Sequence, residues 1–276
     1  MWKQPLCINI IKGLDVAPTE QLHLIKNTGF DGFFAVWREP GELDALAEEA
    51  QKLGLLFQSI HAPFHKARHM WSEGQDGEIA LQELLSCLED CYRLNVPVMI
   101  VHPYIGFNIE PPTEIGIQRF GTLIEAAEKA GVKIAFENVE GEEHLALLFK
   151  RYGDLLHVGF CWDTGHEMCY NGSMDVPALF GDKLICTHLN DNLGQTNPNE
   201  ITWLDDSHLF PFDGIADWQG IADRLNRINY SGELTFELTI ASKPGKNTHD
   251  IYKDLTLDTY FKLVYEKAVR FAQLLK

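Results

Sequence analysis

Short runs of apolar, β-branched and aromatic residues alternate along this chain with longer segments whose apolar positions recur every three or four residues. The short runs are Leu6–Ile10, Gly32–Val36, Leu56–His61, Val98–His102, Lys133–Asn138, His157–Asp163, Leu184–Leu189 and Leu234–Leu238. Their length and composition predict strands. Their almost continuous apolar character predicts strands covered on both faces, as in a parallel sheet. Between them Thr19–Asn27, Glu42–Leu53, Gln75–Leu94, Thr113–Ala130, Glu142–Tyr152, Ala216–Ile228 and Leu255–Leu275 carry the helical period. In Glu42–Leu53, for example, Leu43, Leu46, Ala47, Ala50 and Leu53 mark one face. Gly54 and Gly131 stand just after two of these segments, where a left-handed residue ends a helix. Strand-then-helix repeated eight times predicts parallel strands joined by crossovers. Eight such units in 276 residues fit an α/β fold, a closed (β/α)8 TIM barrel forming a single domain over residues 1–276. A doubly wound sheet would need a glycine-rich phosphate turn after the first strand, and INIIKGLD has none.

Composition narrows the function. The chain has 23 Lys and Arg against 40 Asp and Glu, a formal charge of −17. Such a chain repels phosphate backbones and argues against a nucleic-acid partner. No apolar stretch approaches the roughly 18–20 residues of a membrane helix, so no membrane partner is expected. MWKQPLCINIIKGLD reads as a first strand and not as a signal peptide. The six cysteines are scattered, which suits free thiols in a reducing, cytoplasmic setting.

The chemistry lies at the strand ends. Strand three ends in His61, strand four in His102, strand five in Glu137, strand six in Asp163 with His166 just beyond, strand seven in His188 with Asp191 beyond, and strand eight in Glu237. In a barrel these ends converge on one mouth. Buried carboxylates beside imidazoles need compensation, and a divalent cation supplies it. Mixed Glu, Asp and His ligation without cysteine suits Zn²⁺, Mn²⁺ or another borderline-to-hard cation. The loop Asp191–Gly214 is long enough to be functional, and its Asp206 and His208 are read as extended neighbours able to grip one ion.

The segments HAPF, VHPY, ENVEG, GFCWDTGH, THLNDN, DSH, PFDGIADW and GELTFEL together resemble the xylose isomerase-like barrel superfamily, in particular its sugar phosphate isomerase/epimerase group, with endonuclease IV as a relative. The resemblance implies one divalent metal ion (Mn, Zn, Mg or Co) held by Glu137, Asp163, His188 and Glu237. It implies a sugar or sugar-phosphate substrate, with a proton moved next to a carbonyl through a metal-stabilised enediolate. Glu137 and Glu237 are then the catalytic acid and base, and His166 a substrate contact. His61, His102, Asp206 and His208 are left to substrate binding or additional metal. The endonuclease IV pattern implies instead up to three Zn ions on these same nine residues and phosphodiester hydrolysis at abasic DNA. A non-catalytic sugar or metal binder is a third class.

Lys243 and Lys246 follow strand eight, where barrel enzymes often hold a phosphate. Trp37, Phe64, Trp71, Trp162 and Trp203 are candidates for lining a sugar pocket. Trp37, Arg38, Phe64, Lys66 and Arg68 form the one modest basic and aromatic patch. Tyr252–Lys276 reads as an amphipathic final cover whose exposed end could serve a homo-oligomer contact.

Overall fold

The computed structural model describes residues 3–12, 14–197 and 199–276. Residues 1, 2 and 13, in the segment read as leading into and out of the first strand, and residue 198, in the long loop, lie outside the described residues.

Eight parallel strands follow one another around a ring: β1 Leu6–Asn9, β2 Gly32–Val36, β3 Leu56–His61, β4 Val98–Val101, β5 Lys133–Glu137, β6 Val158–Asp163, β7 Leu184–His188 and β8 Leu234–Phe236. Ladders join β1 to β7 in order, with register shifts at Phe33/Phe34 of β2 against β3 and at Phe160/Cys161 of β6 against β7, and β8 pairs with β1. The β7–β8 seam closes differently. It has one backbone bridge, Leu189 to Phe236, and beside it the Thr187 hydroxyl accepts from the Thr235 amide at 3.0 Å. A side chain there stands in for a rung of the ladder.

Helices α1 Pro18–Thr28, α2 Asp44–Leu53, α3 Gln75–Arg93, α4 Glu114–Ala130, α5 Glu142–Tyr152, α8 Trp218–Arg227 and α9 Leu257–Ala272 cover the ring where the period placed them. Gly54 and Gly131 close α2 and α4 at φ 62° and 70°. Two further helices, α6 Thr164–Cys169 and α7 Val176–Phe180, fall between β6 and β7. At six and five residues they are too short to show a period.

Alternation along each strand separates two interiors. Phe33, Phe57, Ile134, Phe136, Phe160 and Phe236 belong to the large apolar core with the helices. Ile100, Ala135, Cys161 and Cys186 form a smaller inner cluster, and the residues two positions further along, His102, Glu137, Asp163 and His188, share its side of their strands. Large residues thus anchor the helices outside. Small ones fill the barrel and leave the polar layer at its carboxyl end.

Candidate metal centre

The polar side chains at the mouth come from six successive strand ends and the loop after β7, so the ring brings together residues up to 176 positions apart, from His61 to Glu237. Glu137 is their hub. Its Oε2 lies 3.0 Å from His102 Nε2 and 3.3 Å from His61 Nε2. Its Oε1 lies 2.8 Å from His188 Nδ1, which is also 3.0 Å from Glu237 Oε2. On the other side His208 Nε2 and His166 Nε2 face Asp206 Oδ2 at 2.9 and 3.6 Å.

The ring nitrogens are oriented from behind. Nδ1 of His61 donates to the Ala62 carbonyl at 2.8 Å, that of His166 to Asn138 at 3.0 Å, and that of His208 to Glu237 at 3.0 Å. With Nδ1 so engaged, Nε2 is the nitrogen presented to the carboxylates. This is how metal-ligating histidines are commonly held. Asp163 is fixed twice. It caps α6, accepting the His166 amide at 2.7 Å, and takes the Asn190 amide on both oxygens. Gly165 permits that approach, since a Cβ there would lie 2.1 Å from Asn190 Oδ1.

Burial alone would push Glu137 up, but the charge of His188 and contacts from His102, His188 and His61 hold it well below the usual carboxylate range. Glu237 is lowered too, His188 again overcoming burial. Burial raises Asp163 to about 6, against the pull of His166 and His208. Burial opposes a charge on His188, yet Glu237 and Glu137 raise it well above the ordinary histidine value. His208 is pushed up to about 9, Asp206 outweighing burial. Without an added cation, protons on His188 and His208 are therefore the counter-charge that keeps Glu137 and Glu237 ionised.

The donor set fits a divalent cation. One oxygen or nitrogen each from Glu137, Asp163, His188 and Glu237 lie within 4.8 Å of one another. Two neighbouring groups, His61–His102–Glu137 and Asp163–His166–His208, meet the same limit. Glu137 Oε2, His102 Nε2, His188 Nε2 and Asp206 Oδ1 are buried without a hydrogen-bond partner. Unpaired buried polar atoms are rare, and several in one spot point to a missing ligand.

Above this layer opens a cavity of about 580 Å³. His61, His102, His166, Asp206, His208 and Glu237 line it, with Phe64, Trp203 and Lys243 on the walls. Glu137, Asp163 and His188 lie beneath its floor, all 0% exposed. Several sequence-based expectations are corrected here. Trp37, Trp71 and Trp162 are packing residues whose indole N–H groups donate to Asp90, Pro103 and Glu167. Asp191 turns away to hold the long loop, accepting from Trp218 Nε1 at 2.8 Å and the Ala216 amide at 2.9 Å. Lys246 pairs with Asp205 at 2.9 Å instead of facing the cavity. Arg38 and Lys66 pair with Glu42 and Glu83. His208 is not extended: its φ of 50° folds it back onto Asp206.

The sequence pattern missed the supporting residues. Asn138 accepts the Asp163 amide at 2.8 Å and donates to its carbonyl and to Asn171 Oδ1. Glu140 accepts the Gly106 amide and, with Phe107, Tyr170 and Lys12, borders the cavity. The one available signal was an asparagine immediately after Glu137 and another two after His188.

A family model for the xylose isomerase-like TIM barrel matches residues 22–255. The chain belongs to this family. The xylose isomerase-like chain is 39% identical over 113 residues to the uncharacterized protein y4fM of Sinorhizobium fredii, a match covering 38% of the chain and 33% of that protein's length. It is 27% identical over 231 residues to the uncharacterized protein MJ1311 of Methanocaldococcus jannaschii, covering 75% and 71%. Among solved structures, the IolI protein with a bound zinc atom superposes with a TM-score of 0.76 at 18% identity, covering 98% of each chain. D-psicose 3-epimerase with D-tagatose, from Clostridium cellulolyticum H10, superposes with a TM-score of 0.73 at 16% identity, again over 98% of each. At such identities the likeness is one of fold. Among the described residues no helix is long and apolar enough to cross a membrane.

Proposed function

We propose that the protein is a divalent-metal-dependent isomerase or epimerase of a sugar or sugar phosphate. Glu137, Asp163, His188 and Glu237 would hold the cation. The observation that carries this reading is the gap they share: four donors within 4.8 Å, with Glu137 Oε2 and His188 Nε2 buried and without a hydrogen-bond partner. Mn²⁺, Zn²⁺, Mg²⁺ and Co²⁺ all accept such an oxygen-rich set with one imidazole. When bound, the cation supplies the positive charge that makes a proton next to a carbonyl removable.

The chain's own groups do the rest. Glu237 borders the cavity and is held ionised, which suits a base that takes that proton. Glu137, which meets the same His188 Nδ1 as Glu237, is the partner that returns one. His166 and His61 present Nε2 to the floor and can bind sugar hydroxyls. Phe64 and Trp203 offer apolar faces to the C–H side of a ring. The zinc-bearing IolI protein and the epimerase with D-tagatose, sharing the fold, support the reading. Its test is solvent exchange. Ketoses and aldoses, free and phosphorylated, are incubated in heavy water with manganese-loaded protein. Deuterium should enter at a carbon next to the carbonyl of at least one of them. No exchange across the panel would refute the assignment.

The two additional donor groups favour a second reading, a three-zinc phosphodiesterase resembling endonuclease IV. Against it stand the charge of −17 and the pairing of Arg38 and Lys66 with carboxylates. Three zinc ions per chain, together with nicking of an abasic duplex, would establish it in place of the first.

A further inference from the structure

One layer below the carboxylates the barrel interior carries a different donor set. Cys161 on β6 and Cys186 on β7 are ladder partners, each two residues before Asp163 and His188. They point into the barrel on the same side as those residues. Both sulfurs and one ring nitrogen of His188 lie within 4.8 Å of one another, and all three residues are 0% exposed. His188 has spare capacity. Its Nδ1 faces Glu137 and Glu237, whereas its Nε2 is buried with no partner. Gln58 Nε2 donates to Cys186 Sγ at 3.3 Å, a contact that steadies a thiolate.

We propose that Cys161, Cys186 and His188 form a binding site for a thiophilic divalent cation of the zinc, cadmium and mercuric class. Softness separates it from the layer above: thiolates select such ions, and carboxylates the harder ones. Charge balance selects a divalent ion over cuprous copper. Two thiolates and a neutral imidazole sum to −2, which a divalent ion cancels in an interior that tolerates no net charge. A monovalent ion would leave a negative centre beneath Glu137 and Glu237. Donors of one tetrahedral zinc lie about 3.5 Å apart, so the set closes with small side-chain rotations. As each Sγ–cation bond forms, the thiol releases its proton to solvent, and the Nε2–cation bond likewise displaces the proton that the charged His188 ring carries on Nε2. A cation on Nε2 also withdraws electron density from the His188 ring. Occupancy below therefore keeps the ring proton on Nδ1, donated to Glu137 and Glu237, and takes away the lone pair that Nδ1 would offer a cation in the upper layer.

Cadmium alone, titrated into the reduced protein, tests the site through the ultraviolet thiolate-to-cadmium charge-transfer band, which cadmium on carboxylates does not give. Cys87 and Cys91, one turn apart on α3, are an internal control, a buried thiol pair without the histidine. The band is expected in the native protein and in C87S/C91S. It should be lost in C161S/C186S, with cadmium affinity down roughly a hundredfold or more. The milder C161S should lose about half of the band, since one of two sulfurs remains. Manganese binding to the upper layer, followed by electron paramagnetic resonance, should weaken on cadmium loading in the native protein and not in C161S/C186S. A native protein without the band, or a C161S/C186S protein that keeps it, would overturn the proposal.

Discussion

Glu137 and Glu237 carry the same carboxylate on strands three places apart in the ring, and their settings differ. Glu137 is 0% exposed and faces four imidazoles, those of His61, His102, His188 and, at 3.7 Å, His166. Glu237 has a side chain 18% exposed on the cavity wall, with His188 at 3.0 Å and His208 at 3.9 Å. Glu137 belongs to two of the candidate donor groups and Glu237 to one. Identical chemistry is thus divided by packing: one carboxylate lies beneath the floor among imidazoles, the other opens onto the cavity.

Substitutions can break that contrast. Glu137→Gln should have the largest effect. It removes charge from two donor groups at once and leaves four imidazoles without the carboxylate they face. Bound metal should fall well below one ion per chain by elemental analysis, and exchange should fall by about 10³-fold or more. A variant that kept its metal would show that Glu137 is no anchor. Glu237→Gln should separate the two properties. Metal affinity should drop only about 10- to 100-fold, within reach of saturation. Exchange in the saturated protein should still fall about 10²- to 10⁴-fold.

The wall behind Glu237 sharpens the comparison through pH. His249 bridges Thr239 and Thr248 at 3.0 and 2.9 Å, and burial, followed by the charge of His208, lowers its pKa to about 4. The unfolded chain binds a proton there near the ordinary value of 6.5, whereas the folded chain resists until about 4. Between those values the unfolded state holds more protons, so this group makes stability fall as pH falls from 6.5 toward 4 and has no effect above. Melting temperatures at pH 7 and pH 5 should differ less in His249→Gln than in the native protein. The smallest effect is expected at the rim. Trp203 is 48% exposed there, with Lys243 Nζ 5.5 Å from its ring centre. Trp203→Ala should raise KM a few-fold and leave kcat unchanged, as for uniform binding lost.

The fold was legible because its signals are local. Strand ends at Val36, His61 and Asp163 and helix stops at Gly54 and Gly131 were readable from a few neighbouring residues. α6 escaped because a single contact sets it, Asp163 capping the His166 amide, and no period is involved. The site was legible as a set of residue types at strand ends, but direction was not. Asp191 stands at a strand end like the others, and only its bonds to Trp218 and Ala216 show that it serves the loop. Trp162 sits one residue before Asp163 and faces the helices, as alternation requires.

The sequence by itself determined the eight-fold strand and helix rhythm, the acidic balance and the His, Asp and Glu side chains at the strand ends, since each depends on residue order and composition alone. Only the tertiary structure decided which nitrogens face which oxygens, that Glu137 lies beneath the floor while Glu237 opens onto the cavity, and that two cysteines lie under His188. Those relations join residues from separate strands across the closed ring. Closure, burial and backbone partners fix them, and no local pattern encodes them.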